Sequence, residues 1–183
     1  KKMKKTLLLT IALLFSAMVF AQNRATFVDE SFNGSELPDG WTTSEVGTNN
    51  WKISLTTYSG GDGNELKLSW DPKFEGVTRL ITTPFNLSEV EEMVVSFKHF
   101  FDNFRDNEFT HTIGIATSSD NGATWNTGWS QEYTMTGVYD VKATFTTSDM
   151  GKNNVILCLF YEGISQNMDN WFFDDLMIYK QSE

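Results

Sequence analysis

From Thr26 to Tyr179, short runs of β-branched and aromatic residues follow one another with turn chemistry between them, and helical periodicity is confined to a single turn. The pattern predicts strands at Thr26 to Glu30, Asn50 to Ser54, Glu65 to Trp70, Val77 to Thr82, Met93 to Phe101, Thr110 to Thr117, Gly128 to Thr134, Tyr139 to Thr146, Asn154 to Glu162 and Trp171 to Tyr179. Between them lie stretches such as Ser59-Gly60-Gly61-Asp62-Gly63-Asn64 and Asp120-Asn121-Gly122, whose residues tolerate turn backbone. Only Ser88 to Glu92 has a helical flavour. Closely spaced strands without alternating helices leave an all-β fold, an antiparallel sandwich or barrel. Met93 to Phe101 and Asn154 to Tyr161 are apolar on both alternating faces, which makes them central strands with one face in the core and the other under loops or in a groove.

The segment before these strands has a different character. Lys4 and Lys5, the apolar run Leu7 to Phe20 and the small-residue site ending at Ala21 read as a secretory signal peptide over residues 1 to 21, with residues 22 to 183 as one domain. The apolar run is short of the roughly 20 residues that cross a bilayer, so a secreted, extracellular or periplasmic protein without membrane insertion is expected. The only cysteine, Cys158, is not at the cleavage point, which argues against lipidation, and it rules out an intramolecular disulfide. It lies in the apolar run VILCLFY, the setting of a buried inert thiol. With 24 acidic against 14 basic residues the net charge is −10, and loss of the leader's lysines makes it more negative. Nucleic acid and anionic membrane surfaces are poor partners for such a chain.

Within Asn170 to Tyr179, NWFFDDLMIY, two adjacent carboxylates interrupt an aromatic strand. Asp174 and Asp175 should point to opposite faces, which puts at least one of them near the buried layer, where it needs a partner. Three readings stay open from the residues alone: a bound Ca2+, an ordinary Lys or Arg pair, or a strand end whose carboxylates accept backbone N–H bonds.

Several motifs in order resemble the cleaved-adhesin, or choice-of-anchor J, family of secreted bacterial jelly rolls, the type repeated in gingipain adhesin regions, with a more distant likeness to MAM domains. They are Glu30-Ser31-Phe32-Asn33-Gly34, Leu37-Pro38-Asp39-Gly40-Trp41, Trp51, Leu80-Ile81-Thr82-Thr83-Pro84-Phe85-Asn86-Leu87, the strands Val94 to Phe101 and Val155 to Tyr161, and Asn170 to Ile178. The resemblance spans nearly all of residues 22 to 183. It implies a jelly-roll β-sandwich of two antiparallel sheets with a structural Ca2+, for which Glu30 and Asp174 or Asp175 would be the side-chain ligands and backbone carbonyls would supply other positions. Asp29 and Asp102 are weaker candidates. The large secretion or anchoring domain that often follows such modules has no counterpart in Tyr179-Lys180-Gln181-Ser182-Glu183, which leaves attachment to a cell surface in doubt.

Catalytic signals are sparse. His99 alternates with apolar residues as a core or edge residue would, and HExxH, GxSxG and GxxxxGK[ST] motifs are missing. Ser118, Asp120, Gly122, Thr124 and Trp125 fit an S-x-D-x-G-x-T-W Asp box, a hairpin-turn motif with a structural role. The chain is rich in aromatic residues, and Trp70, Trp129 and Tyr133, beside turns or polar residues, are the candidates for an exposed ligand contact, whereas Trp41, Trp51, Trp125 and Trp171 are expected in the core. The expected function is a non-catalytic adhesin-type module binding an extracellular glycan or protein. The alternatives are a small secreted hydrolase acting on polysaccharide, for which a carboxylate pair would suffice, and a structural piece of a larger surface assembly.

Overall fold

The computed structural model describes residues 25–180, so the leader expected over residues 1 to 21 lies outside the described residues. The strands are β1 (Thr26–Glu30), β2 (Thr42–Glu45), β3 (Trp51–Ser54), β4 (Glu65–Ser69), β5 (Glu75–Ile81), β6 (Met93–Asn103), β7 (His111–Ser118), β8 (Asn126–Tyr133), β9 (Gly137–Phe145), β10 (Ile156–Ile164) and β11 (Met168–Lys180). One sheet runs β3-β4-β11-β6-β9, with β1 also paired to β11, and the other runs β2-β5-β10-β7-β8. Every pairing is antiparallel. The architecture is the jelly-roll sandwich.

Strand alternation builds the core directly. On β6, Val95, Phe97, His99 and Phe101 face inward, and on β10 Leu157, Leu159 and Tyr161 meet them from the opposite sheet. The outward residues of β10, Cys158 and Phe160, are covered as well. They pack with Ala116, Val77, Ile81 and Trp125 into a second cluster on the outer face, over which the Arg79 guanidinium lies 5.0 Å from the Trp125 ring. This accounts for a strand that is apolar on both faces, and burial pushes the Cys158 thiol up to about 12. One expectation changes: β2, with sequence TTSE, is a four-residue edge strand pairing with β5 that has no apolar alternation to announce it. Ser88 to Glu92 holds the single turn expected there, with Val90 N donating to Leu87 O.

Strand β11 is the pivot of the first sheet. Trp171 and Phe173 face the core, and strict alternation from Phe173 would then turn Leu176 and Ile178 outward. An extra residue prevents this: Asp174 pairs with Lys98 and Met177 with Ser96, three steps on β11 against two on β6. The bulge places Asp175 at φ +52° and restores the phase, so Leu176 and Ile178 are fully buried. The same point divides the other edge of β11, where β4 pairs with Asn170 to Phe173 and β1 with residues from Leu176 on. Asp174 and Asp175 therefore sit in the gap between the end of β1 and the start of β4.

Candidate carboxylate junction and binding face

The loop from Leu55 to Asn64 closes the gap. It is organised by Glu65, whose fully buried carboxylate accepts bonds from Thr56 Oγ1 (2.6 Å), Tyr58 N (2.8 Å), Ser59 N (2.8 Å) and Ser59 Oγ. Asn33 ties in the segment after β1, its Oδ1 accepting from Asn64 N at 2.9 Å while Asn64 Nδ2 donates to Gly34 O. At the centre lies Asp174, 1% exposed. Its Oδ1 accepts the Asp175 N–H at 2.7 Å, whereas its Oδ2 is buried with no hydrogen-bond partner. Gly61 packs directly on that oxygen, leaving no room for a Cβ. Burial pushes the Asp174 carboxyl up to about 6, against the pull of the Asp175 N–H, with the charges of Asp175 and Glu65 adding to the rise.

The two aspartates thus differ. Asp175 has an ordinary cation partner, Lys98 Nζ at 2.8 Å, and the same ammonium reaches Gly60 O at 3.4 Å. Asp174 has a backbone donor on one oxygen and nothing on the other. Glu30 ends β1 beside Leu176, with its Oε1 accepting from Phe32 N at 2.7 Å. Glu30, Asp29, Asp175, Asp140, Lys98 and Met177 line a groove of about 340 Å³ next to the junction. Asp102 stands apart, its carboxyl raised by burial and by Asp169 and Asp106. Among the described residues no three His, Cys, Asp or Glu side chains converge closely enough to hold a metal by themselves.

The rest of this outer face is laid out in cross-strand rows. One row runs Lys52, Lys67, Phe172, Phe100, Val138 across β3, β4, β11, β6 and β9. At one inter-strand spacing per step it spans about 19 Å. The neighbouring row carries Ser69, Asn170 and Asp102. Tyr58 descends from the loop onto the apolar row, 5.0 Å from Phe172 and 5.8 Å from Phe100, and keeps 56% of its surface exposed. Val138, at the end of that row, and Leu55, at the start of the loop, are also exposed. The face therefore offers aromatic surface flanked by amine, amide and carboxylate groups, a combination suited to sugar rings and their hydroxyls.

The aromatic residues singled out in the sequence do not form this platform. Trp70 is 37% exposed at the end of β4. Trp129 is half-buried, edge-on to Phe97 at 5.5 Å in the core. Tyr133 is 4% exposed and donates no face to solvent: its hydroxyl meets His99 Nε2 at 3.0 Å and its ring stacks on Phe101. Its polar neighbours in sequence face outward while alternation turns Tyr133 in, so its expected exposure is corrected. Tyr58 was missed because it lies in a stretch that reads only as a turn, although the outward apolar pair Phe100 and Phe172 was a signal for something covering them. Trp51 and Trp171 are buried and Trp41 and Trp125 half-buried.

Neither histidine is placed for acid–base work on a ligand. His99 is pushed down to about 3 by burial, and His111 is lowered by the same cause while its Nδ1 meets Tyr161 OH at 2.7 Å and its Nε2 donates to Asn167 O at 3.1 Å. Ser118, Asp120 and Thr124 close the β7–β8 turn on themselves, with Asp120 Oδ1 accepting from Ser118 Oγ (2.7 Å) and Thr124 N (2.9 Å). These donors, Thr124 first, hold the Asp120 carboxyl down at about 2.

No protein-family model matches the sequence, and no curated protein matches it. Solved structures do. The K1 cleaved adhesin domain of Lys-gingipain from Porphyromonas gingivalis matches at TM-score 0.60 and 14% identity, covering 85% of this chain and 98% of that one. The carbohydrate-binding module TmCBM61, solved with β-1,4-galactotriose, matches at 0.56 and 17% identity, covering 83% and 95%. A CBM28 module specific for non-crystalline cellulose matches at 0.55 and 13% identity, covering 84% and 94%. The chain has the gingipain-type adhesin jelly-roll fold, which it shares with carbohydrate-binding modules.

Proposed function

We propose that this chain is a secreted, non-catalytic binding module of adhesin type that recognises a glycan on the outer face of the β3-β4-β11-β6-β9 sheet. The observation that carries the reading is the exposed Tyr58 ring, held on Phe172 and Phe100 and bordered by Lys67, Asn170 and Asp102. Structures of the same fold solved with galactotriose and xylohexaose lend it support. The buried histidines and self-satisfied Glu65 favour binding over catalysis. A structural Ca2+ belongs to the proposal. The unpartnered, buried Asp174 Oδ2 fits a cation, and Glu30 on the next strand would share it, with Asp175 nearby. Since so few carboxylates converge, backbone carbonyls would have to complete the 6 to 8 oxygens calcium takes. Bound there, the ion would supply charge compensation for Asp174 and join the ends of β1 and β4.

The experiment is calorimetric titration of the chain with neutral and acidic oligosaccharides, alongside Tyr58→Ala. At least one glycan should bind, with Tyr58→Ala weakening it about tenfold or more, roughly 1.4 kcal/mol, at unchanged melting temperature. Binding that survives Tyr58→Ala would place the site elsewhere, and no binding to any glycan would remove the reading.

A further inference from the structure

The cross-strand row on the binding face contains a pairing that is unfavourable for folding alone. Lys52 and Lys67 lie directly opposite one another on β3 and β4, and like charges in that position repel. The chain has 24 acidic residues to choose from, and it pairs Lys98, Arg79, Arg105 and Lys152 with carboxylates. Among the described residues, neither Lys52 nor Lys67 has such a pair. Lys67 extends instead over the Phe172 ring, its Nζ 5.3 Å from the centroid, beside the foot of Tyr58. Burial and the Lys52 charge both lower its affinity for a proton. Two carboxylates act on it from a distance. Glu65 is already committed to four donors in the loop, and the Asp102 carboxyl, raised by burial and by Asp169 and Asp106, makes no ion pair with Lys67.

Resting on the glycan-binding reading, we infer that the ligand is an acidic oligosaccharide whose uronate carboxylate is held between Lys52 and Lys67 while a sugar ring packs against Tyr58. The carboxylate relieves the lysine repulsion, and it does so on a molecule whose net charge of −10 repels anions elsewhere. In the neighbouring row, Asn170 and Asp102 are left to bind hydroxyl groups, which orients the chain of sugars along the face.

The test compares β-1,4-galactotriose and xylohexaose with trigalacturonate and glucuronate-substituted xylohexaose, using the native chain, Lys52→Gln and Lys67→Gln. The inference expects a uronate-bearing probe to bind at least about tenfold more tightly than its neutral counterpart. That preference should weaken with salt and fall in both variants, whose melting temperature should stay at or rise above that of the native chain as the repulsion between Lys52 and Lys67 is relieved. Neutral probes binding as tightly as acidic ones, or a uronate preference that persists in both glutamine variants, would overturn the inference and leave the glycan-binding reading standing. Failure of every probe would overturn both.

Discussion

His99 shows how one residue in this core links packing to pH. Its ring lies between the sheets, stacked on Tyr139 at 5.1 Å and bonded to Tyr133, and burial lowers its pKa from 6.5 to about 3. Between those values the unfolded chain holds a proton that the folded chain does not, so stability falls as pH drops from about 6.5 toward 3, by up to about 1.4 kcal/mol per pH unit. His111, lowered by burial too, acts in the same direction. A His99→Gln variant should show a shallower acid limb in urea midpoints measured across that range; an unchanged slope would mean that His99 is not the residue taking up the proton. The inward place of His99 was legible from its alternation with Val95, Phe97 and Phe101. Tyr133 was not legible in the same way, because its sequence neighbours are polar while its own side chain points to the core.

At the scale of elements, the bulge in β11 does the most. A single extra residue keeps Leu176 and Ile178 in the core, leaves Asp174 and Asp175 facing the gap between β1 and β4, and lets a glycine-rich loop fold down onto Asp174. The motif DD within an aromatic strand announced that something unusual happens there, but composition cannot show which oxygen is left bare. The structure divides the two roles: Asp175 takes Lys98 and Asp174 keeps an unpartnered oxygen. If calcium fills that role, melting in EGTA should be lower than with Ca2+ restored. At Ca2+ a hundredfold above its dissociation constant, the gain is about 2.7 kcal/mol, or roughly 5–10 °C. Asp174→Ala and Glu30→Ala should abolish the difference, whereas a melting temperature indifferent to EGTA would leave Asp174 as a buried carboxyl that protonates readily.

The whole molecule is a sandwich with two unlike outer faces. The β2-β5-β10-β7-β8 sheet seals its outer side with Phe160, Cys158, Trp125 and the overlying Arg79, which is paired with Glu45. The opposite sheet leaves Tyr58, Val138 and Leu55 exposed among polar rows. The sandwich was readable from strand spacing and from the order of the family-like motifs, whereas the choice of face depends on cross-strand register and on a loop crossing the sheet, neither of which a single sequence prints. Whether the ligand lies on the Tyr58 face can be read by following backbone amide shifts in ¹H–¹⁵N spectra as oligosaccharides are added. Shifts should concentrate at Lys52, Lys67, Phe172, Phe100 and the Tyr58 loop. Shifts centred instead on Arg79, Trp125 and Phe160 would contradict that placement.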